Sequence, residues 1–149
     1  EIKNILLWRP SDISEIEGVT AKGGNWIILI KSATNVLKGD NFVFVYPELL
    51  QNKIIVSKGE VITSEIIEEN DFYPKNINSK IKNLLRKTRD KIKSRGSIVN
   101  EITTRGDFIK KIRDSLKLDQ NIQYRLEVVS LKDSKTADPI IVELNITKL

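Results

Sequence analysis

Between Lys75 and Asn100 the only acidic residue is Asp90, yet Lys80, Lys82, Arg86, Lys87, Arg89, Lys93 and Arg95 crowd the same stretch. Ammonium and guanidinium groups at this density have one evident chemistry, the holding of anionic oxygens. A single carboxylate cannot balance seven cations through pairs four residues apart. Left alone the charges repel one another, and a sugar-phosphate backbone relieves that repulsion. The wider segment 75–115 holds 13 of the 25 Lys and Arg but only 4 of the 20 Asp and Glu. It is therefore about +9 within a chain of net charge +5, and everything else sums to about −4.

Other chemistries are closed off by what is missing. With no Cys and no His, thiolate and imidazole metal ligands, Cys nucleophiles and Ser-His-Asp arrangements are all excluded. No catalytic residue, metal ligand or cofactor is expected. The enzymatic rival is a nuclease built from carboxylates and lysine, for which Glu65, Glu68, Glu69 and Glu143 are the available acids. The acid, spacer, acid-x-Lys arrangement such a site uses is absent. A second rival is a protein-interaction or structural module whose basic helix docks on an acidic partner. Apolar runs such as Trp26 to Ile30 fall far short of the ~20 residues a membrane span needs, so no membrane partner is expected. No signal peptide is visible, and the reading is cytoplasmic. A chain that starts at Glu1 and lacks Met reads as a piece of a longer protein with further domains.

The elements that must position these residues follow from periodicity. Ile77, Ile81, Leu84, Leu85 and Ile92 fall on one helical face, with Arg95-Gly96 ending that helix. Ile98, Val99 and Ile102 predict a short second helix, and Phe108, Ile109, Ile112 and Leu116 a third. Ile2 to Trp8 reads as a strand stopped at Arg9-Pro10. Ser11 then caps a short helix that Gly18 ends. Strands are expected at Trp26 to Ile30 and at Phe42 to Tyr46, the latter closed by Pro47. Another spans Lys53 to Glu65, bent or bulged at Gly59. Ile122 to Leu131 alternates as a half-buried strand, Asp133 to Asp138 is a polar loop, and Ile140 to Ile146 is the last strand. The fold class is α+β: one domain over 1–149, a small β-barrel flanked by helices, with a basic helical insertion at 75–120.

Four stretches of this pattern resemble a known family. "ILLWRPSDISEIEG" resembles the opening strand and short helix of EVE domains. "VLKGDNFVFVYP" resembles their aromatic strand, "IIVSKGEVITSEIIEENDFYP" the next strand, and "YRLEVVSLKDSKTADPIIVELNI" the closing pair, all in the family order. EVE domains belong with YTH and ASCH domains to the PUA-like superfamily, small β-barrels that bind RNA or modified DNA. The insertion at 75–120 is longer and more basic than that family's usual one.

The resemblance implies a cleft that holds one unstacked base, often a methylated one, as part of a larger restriction or defence protein. DNA is the expected ligand ahead of RNA. A ring stacked on a base returns ~1–3 kcal/mol, enough to offset much of the cost of unstacking it. The candidate rings are Trp26 after the Gly-Gly-Asn turn, Tyr46 at its strand end, and Trp8 beside Arg9. Asn25 and Ser32 are short polar groups suited to a base edge, and Asp12 suits an exocyclic amine. Phe42, Phe44 and Phe108 read as core. Phe72 and Tyr73 read as a rim.

Overall fold

The computed structural model describes residues 5–37, 39–68, 71, 73–105, 114 and 122–149. It is an α+β protein that divides into two compact units, residues 1–53 and 54–149. The first carries six basic and six acidic residues, so the whole net charge of +5 resides in the second.

The first unit is one sheet and one helix. Strands β1 (Ile5–Leu7), β2 (Trp26–Ser32) and β3 (Phe42–Gln51) form a sheet in the order β1-β3-β2. β1 runs parallel to β3, matching Leu7 to Phe44, and β2 runs antiparallel to it, matching Trp26 to Gln51 and Lys31 to Tyr46. β3 does not stop at Pro47 as the sequence predicts. β1 pairs only as far as Phe44, so among the described residues β3 has beyond that point a neighbour on one side only, and the missing N–H of proline leaves no ladder bond unmade. Helix α1 (Pro10–Thr20) packs on β3. Its N-cap is Arg9, not Ser11, and it runs through Gly18 to Thr20. Pro10 in the first turn already has helical φ, and the Asp12 carboxylate accepts from the Arg9 backbone N–H at 3.3 Å.

The second unit holds the main core. Strands β4 (Ile54–Val56), β5 (Val61–Ile67), β6 (Ile102–Thr104), β7 (Tyr124–Ser130), β8 (Ser134–Lys135) and β9 (Ile140–Lys148) belong to it, together with helix α2 (Pro74–Ser94). One sheet has the order β5-β7-β9-β6, with β6 parallel to β9 and the other pairs antiparallel; β4 and β8 form a separate antiparallel pair. The single bent strand expected over Lys53 to Glu65 is two, since the turn at Gly59, at a φ of +79°, sends β4 to β8 and β5 to β7. Two further expectations change. Ile102 joins a strand, not a helix, because three β-branched residues there find the edge of β9; and the polar loop after β7 contains β8. The helix expected around Phe108, Ile109, Ile112 and Leu116 lies outside the described residues, as does Phe72.

Ile62, Ile67, Leu84, Ile92, Leu126, Val128, Ile140 and Val142 are sealed in this core. At about 25 cal/mol per Å² of apolar surface, these aliphatic side chains are the main force holding α2 to β5 and β7. The described strands form open sheets. No closed barrel occurs among the described residues.

Candidate functional site

The basic helix sorts its cations by direction. Ile77, Ile81, Leu84, Thr88 and Ile92 are buried, which orients α2 about its axis. The Thr88 hydroxyl shares a 2.5 Å hydrogen bond with that of Thr63 on β5 and also donates to the Leu84 carbonyl. Cations at the margins of the buried face are held by the body of their own unit. Lys80 pairs with Asp71, and Lys87 reaches Glu65 at 3.4 Å. The Lys91 ammonium donates to the Ile62 carbonyl at 2.6 Å. Arg95 pairs with Glu60 at 2.6 Å and donates to the Ile55 carbonyl at 3.2 Å. Burial would raise the Asp71 carboxyl, but the Lys80 ammonium and the Glu68 N–H outweigh it and hold its pKa below the ordinary value. Glu60 is likewise held low, first by the Ser57 N–H and then by Arg95.

The remaining cations point away from that core. At 100° per residue, Lys75, Lys82, Arg86, Arg89 and Lys93 fall within an arc of about 60° whose centre lies about 130° around the helix from that of the buried residues, along about 27 Å of helix. All five are exposed. Among the described residues only Arg86 has a carboxylate, Asp90 at 3.4 Å, with both side chains more than half exposed. An exposed pair of this kind contributes little. The arc is a row of exposed positive groups that, among the described residues, only Asp90 offsets. Thus Lys80, Lys87 and Arg95 serve packing and local charge balance first, while Lys82, Arg86, Arg89 and Lys93 are exposed, Arg86 with only a loose pairing to Asp90. Lys75, not among the seven cations singled out from the sequence, stands seven residues before Lys82 and so on the same arc.

The candidate pocket residues do not converge. Asp12 is buried, 3 % exposed, and its carboxylate accepts from Arg9 Nη2 at 2.7 Å and Nε at 3.1 Å. The hydrogen bonds from the Arg9 side chain hold its pKa low. It is committed to α1 and to Arg9. Trp26 is half-buried; its Nε1 donates to the Gly23 carbonyl at 3.0 Å, and a Cβ on Gly24 would stand 3.1 Å from that nitrogen. Its ring therefore folds back on the Gly23-Gly24 turn, where both glycines have positive φ. Asn25 meets Asn52 across the same end of the sheet, its Oδ1 at 3.5 Å. The Ser32 hydroxyl is turned onto the Thr34 carbonyl. Strand alternation puts Trp26 and Ser32 on the face opposite Tyr46, since they match Gln51 and Val45. Trp8 is half-buried between β1 and α1.

Tyr46 does line a cavity. A cleft of about 390 Å³ lies over β3, bounded by Leu7, Arg9, Ala33, Thr34, Phe44, Val45 and Tyr46. Phe42 and Phe44 share the Tyr46 face and are not core: they are 54 % and 51 % exposed, while Val43 and Val45 between them are buried. Two neighbouring cations are already balanced, Arg9 by Asp12 and Lys31 by Glu48. Of the acids weighed for a nuclease, Glu65 is paired with Lys87, Glu143 sits half-buried on β9, and Glu69 lies outside the described residues. No group of three or more Asp or Glu is placed to hold a metal among the described residues. No helix among them is long and apolar enough to cross a membrane.

Comparison with known proteins adds one relative. The chain is 23% identical over 143 residues to the uncharacterized protein alr4393 of Nostoc sp., a match that covers 95% of this chain and 28% of that protein. The chain thus spans less than a third of the length of this curated relative. No family model and no solved structure matches.

Proposed function

We propose that this chain is a nucleic-acid-binding module whose α2 stripe grips phosphates and whose cleft at Tyr46 receives a base. The observation that carries the first half is the outward arc of Lys75, Lys82, Arg86, Arg89 and Lys93, opposed among the described residues by Asp90 alone. A helix needs none of these charges to pack, because its apolar face is complete without them. Supporting the second half are an aromatic side chain at a cavity of ligand size and Thr34 beside it, able to meet a base edge.

The resemblance to EVE and YTH domains supplies the finer reading: a PUA-like domain that inspects a modified, methylated base, in DNA ahead of RNA, for a larger restriction or defence protein. That part rests on sequence motifs, with the greater length of the Nostoc relative in keeping with it. Within it, Tyr46 is the ring for the base, and Trp26 and Asp12 shape the scaffold.

The experiment is fluorescence anisotropy with labelled oligonucleotides, methylated and unmethylated, over a salt series. Binding that weakens steeply with salt supports the module, and preference for the methylated form supports the reader. Absence of binding at low salt refutes both. A partner protein captured through the basic arc in place of nucleic acid would favour the interaction-module reading.

A further inference from the structure

We infer that the Phe42, Phe44 and Tyr46 face of the β1-β3-β2 sheet is a stacking platform for consecutive bases of an unpaired strand. The inference rests on the nucleic-acid reading above and narrows its substrate from duplex to single strand.

Three observations lead there. The first is spacing. The three residues stand two apart on one strand face, their backbones about 6.8 Å from one to the next at 3.4 Å per residue and the Phe42 and Phe44 ring centroids 5.8 Å apart. Bases in a duplex rise only about 3.4 Å, so one base per ring requires a strand pulled out well beyond that rise. The second is orientation. The Phe42 and Phe44 rings meet edge to face, with centroids 5.8 Å apart and planes at 82°. Parallel bases in a stack cannot lie flat on both rings, whereas unpaired bases turn independently. The third is charge. This unit is electrically neutral by sequence, and Arg9 and Lys31 beside the face already hold carboxylates. A neutral aromatic surface suits the uncharged base and leaves phosphates to cations elsewhere.

The face is also ready to be used. All three residues are at least 39 % exposed, and Ile5 and Leu7 on the matched β1 positions extend the same apolar strip. Small neighbours, Ala33 and Thr34, leave the hollow at Tyr46 open for one nucleotide. An unpaired base also costs less to bring there than one extruded from a helix.

The test uses this chain with a labelled single-stranded oligonucleotide and the matching duplex at low salt. The single strand should bind more tightly. Phe42→Leu and Phe44→Leu should each weaken it about tenfold while leaving the duplex unchanged, and Phe44→Trp should retain binding. Leucine keeps apolar contact and fold but has no ring, so circular dichroism should be unaltered. If both leucine variants, folded, bind the single strand as the parent does, the platform is refuted while the module stands. If neither oligonucleotide binds the parent, the module itself has failed. If Phe44→Leu leaves oligonucleotide binding intact but Phe44→Lys abolishes a self-association of the chain, the face serves a protein contact and the inference is overturned.

Discussion

Replacing Lys82, Arg89 and Lys93 together by glutamine separates the outward cations of α2 from those tied to the body. Each phosphate neutralised contributes about 0.9 to the slope of log K against log salt on duplex DNA and about 0.7 on a single strand. Five outward cations therefore set limiting slopes of about −4.5 and −3.5. Removing three should bring these to about −1.8 and −1.4. Between 50 and 200 mM salt, the parent should lose about 100-fold or more in single-strand affinity, and the variant less than about tenfold. The control is Lys87→Gln, whose ammonium already faces Glu65. It should move the slope by only a few tenths. Anisotropy titrations at four salt concentrations read both quantities. If Lys87→Gln flattens the slope as much per charge as the triple change, direction on the helix is irrelevant and the assignment of roles is wrong.

Further outcomes concern stability. Leu84→Ala, at a side chain with no exposed surface in the α2 core, should cost about 3 kcal/mol and lower Tm by about 10 °C in a thermal melt. Gly24→Ala places a Cβ at a φ of +104° and 3.1 Å from the Trp26 nitrogen; it should cost about 1–2 kcal/mol in urea denaturation. Asp12, Glu60 and Asp71 all have folded pKa values below the ordinary ones, so their contribution is present above about pH 4 and lost as pH falls further. Glu60→Gln should lower the urea midpoint at pH 7 but leave the midpoint at pH 2.5 closer to that of the parent. An equal loss at both values would remove the charge of Glu60 from the account.

How much of this was written in the sequence varies with how local the cause is. α2 was legible because Ile77, Ile81, Leu84, Leu85 and Ile92 repeat at the helical period and the cations fill the rest. The run Phe42-Val43-Phe44-Val45-Tyr46 is apolar on both faces, so periodicity located the strand without saying which face would be buried. The valines took the interior and left the rings outside. Pro47 looked like a strand end because its one-sided pairing depends on where β1 stops, which no local pattern records. Ile102 became a strand through the distant edge of β9. The pocket list failed to converge for a related reason. Trp26 and Tyr46 look alike as strand-end aromatics, and only their register, to Gln51 and Lys31, sends them to opposite faces. Asp12 was diverted by its neighbour Arg9, a local pairing that the Arg-Pro-Ser-Asp order itself contains.

Lysine acetylation footprinting by mass spectrometry, with and without an oligonucleotide at low salt, tests most directly that α2 meets nucleic acid along its outward arc. Lys75, Lys82 and Lys93 should become protected, while Lys22 at the end of α1 should react equally in both conditions. Unchanged reactivity at all three arc lysines in the presence of bound oligonucleotide would contradict the assignment.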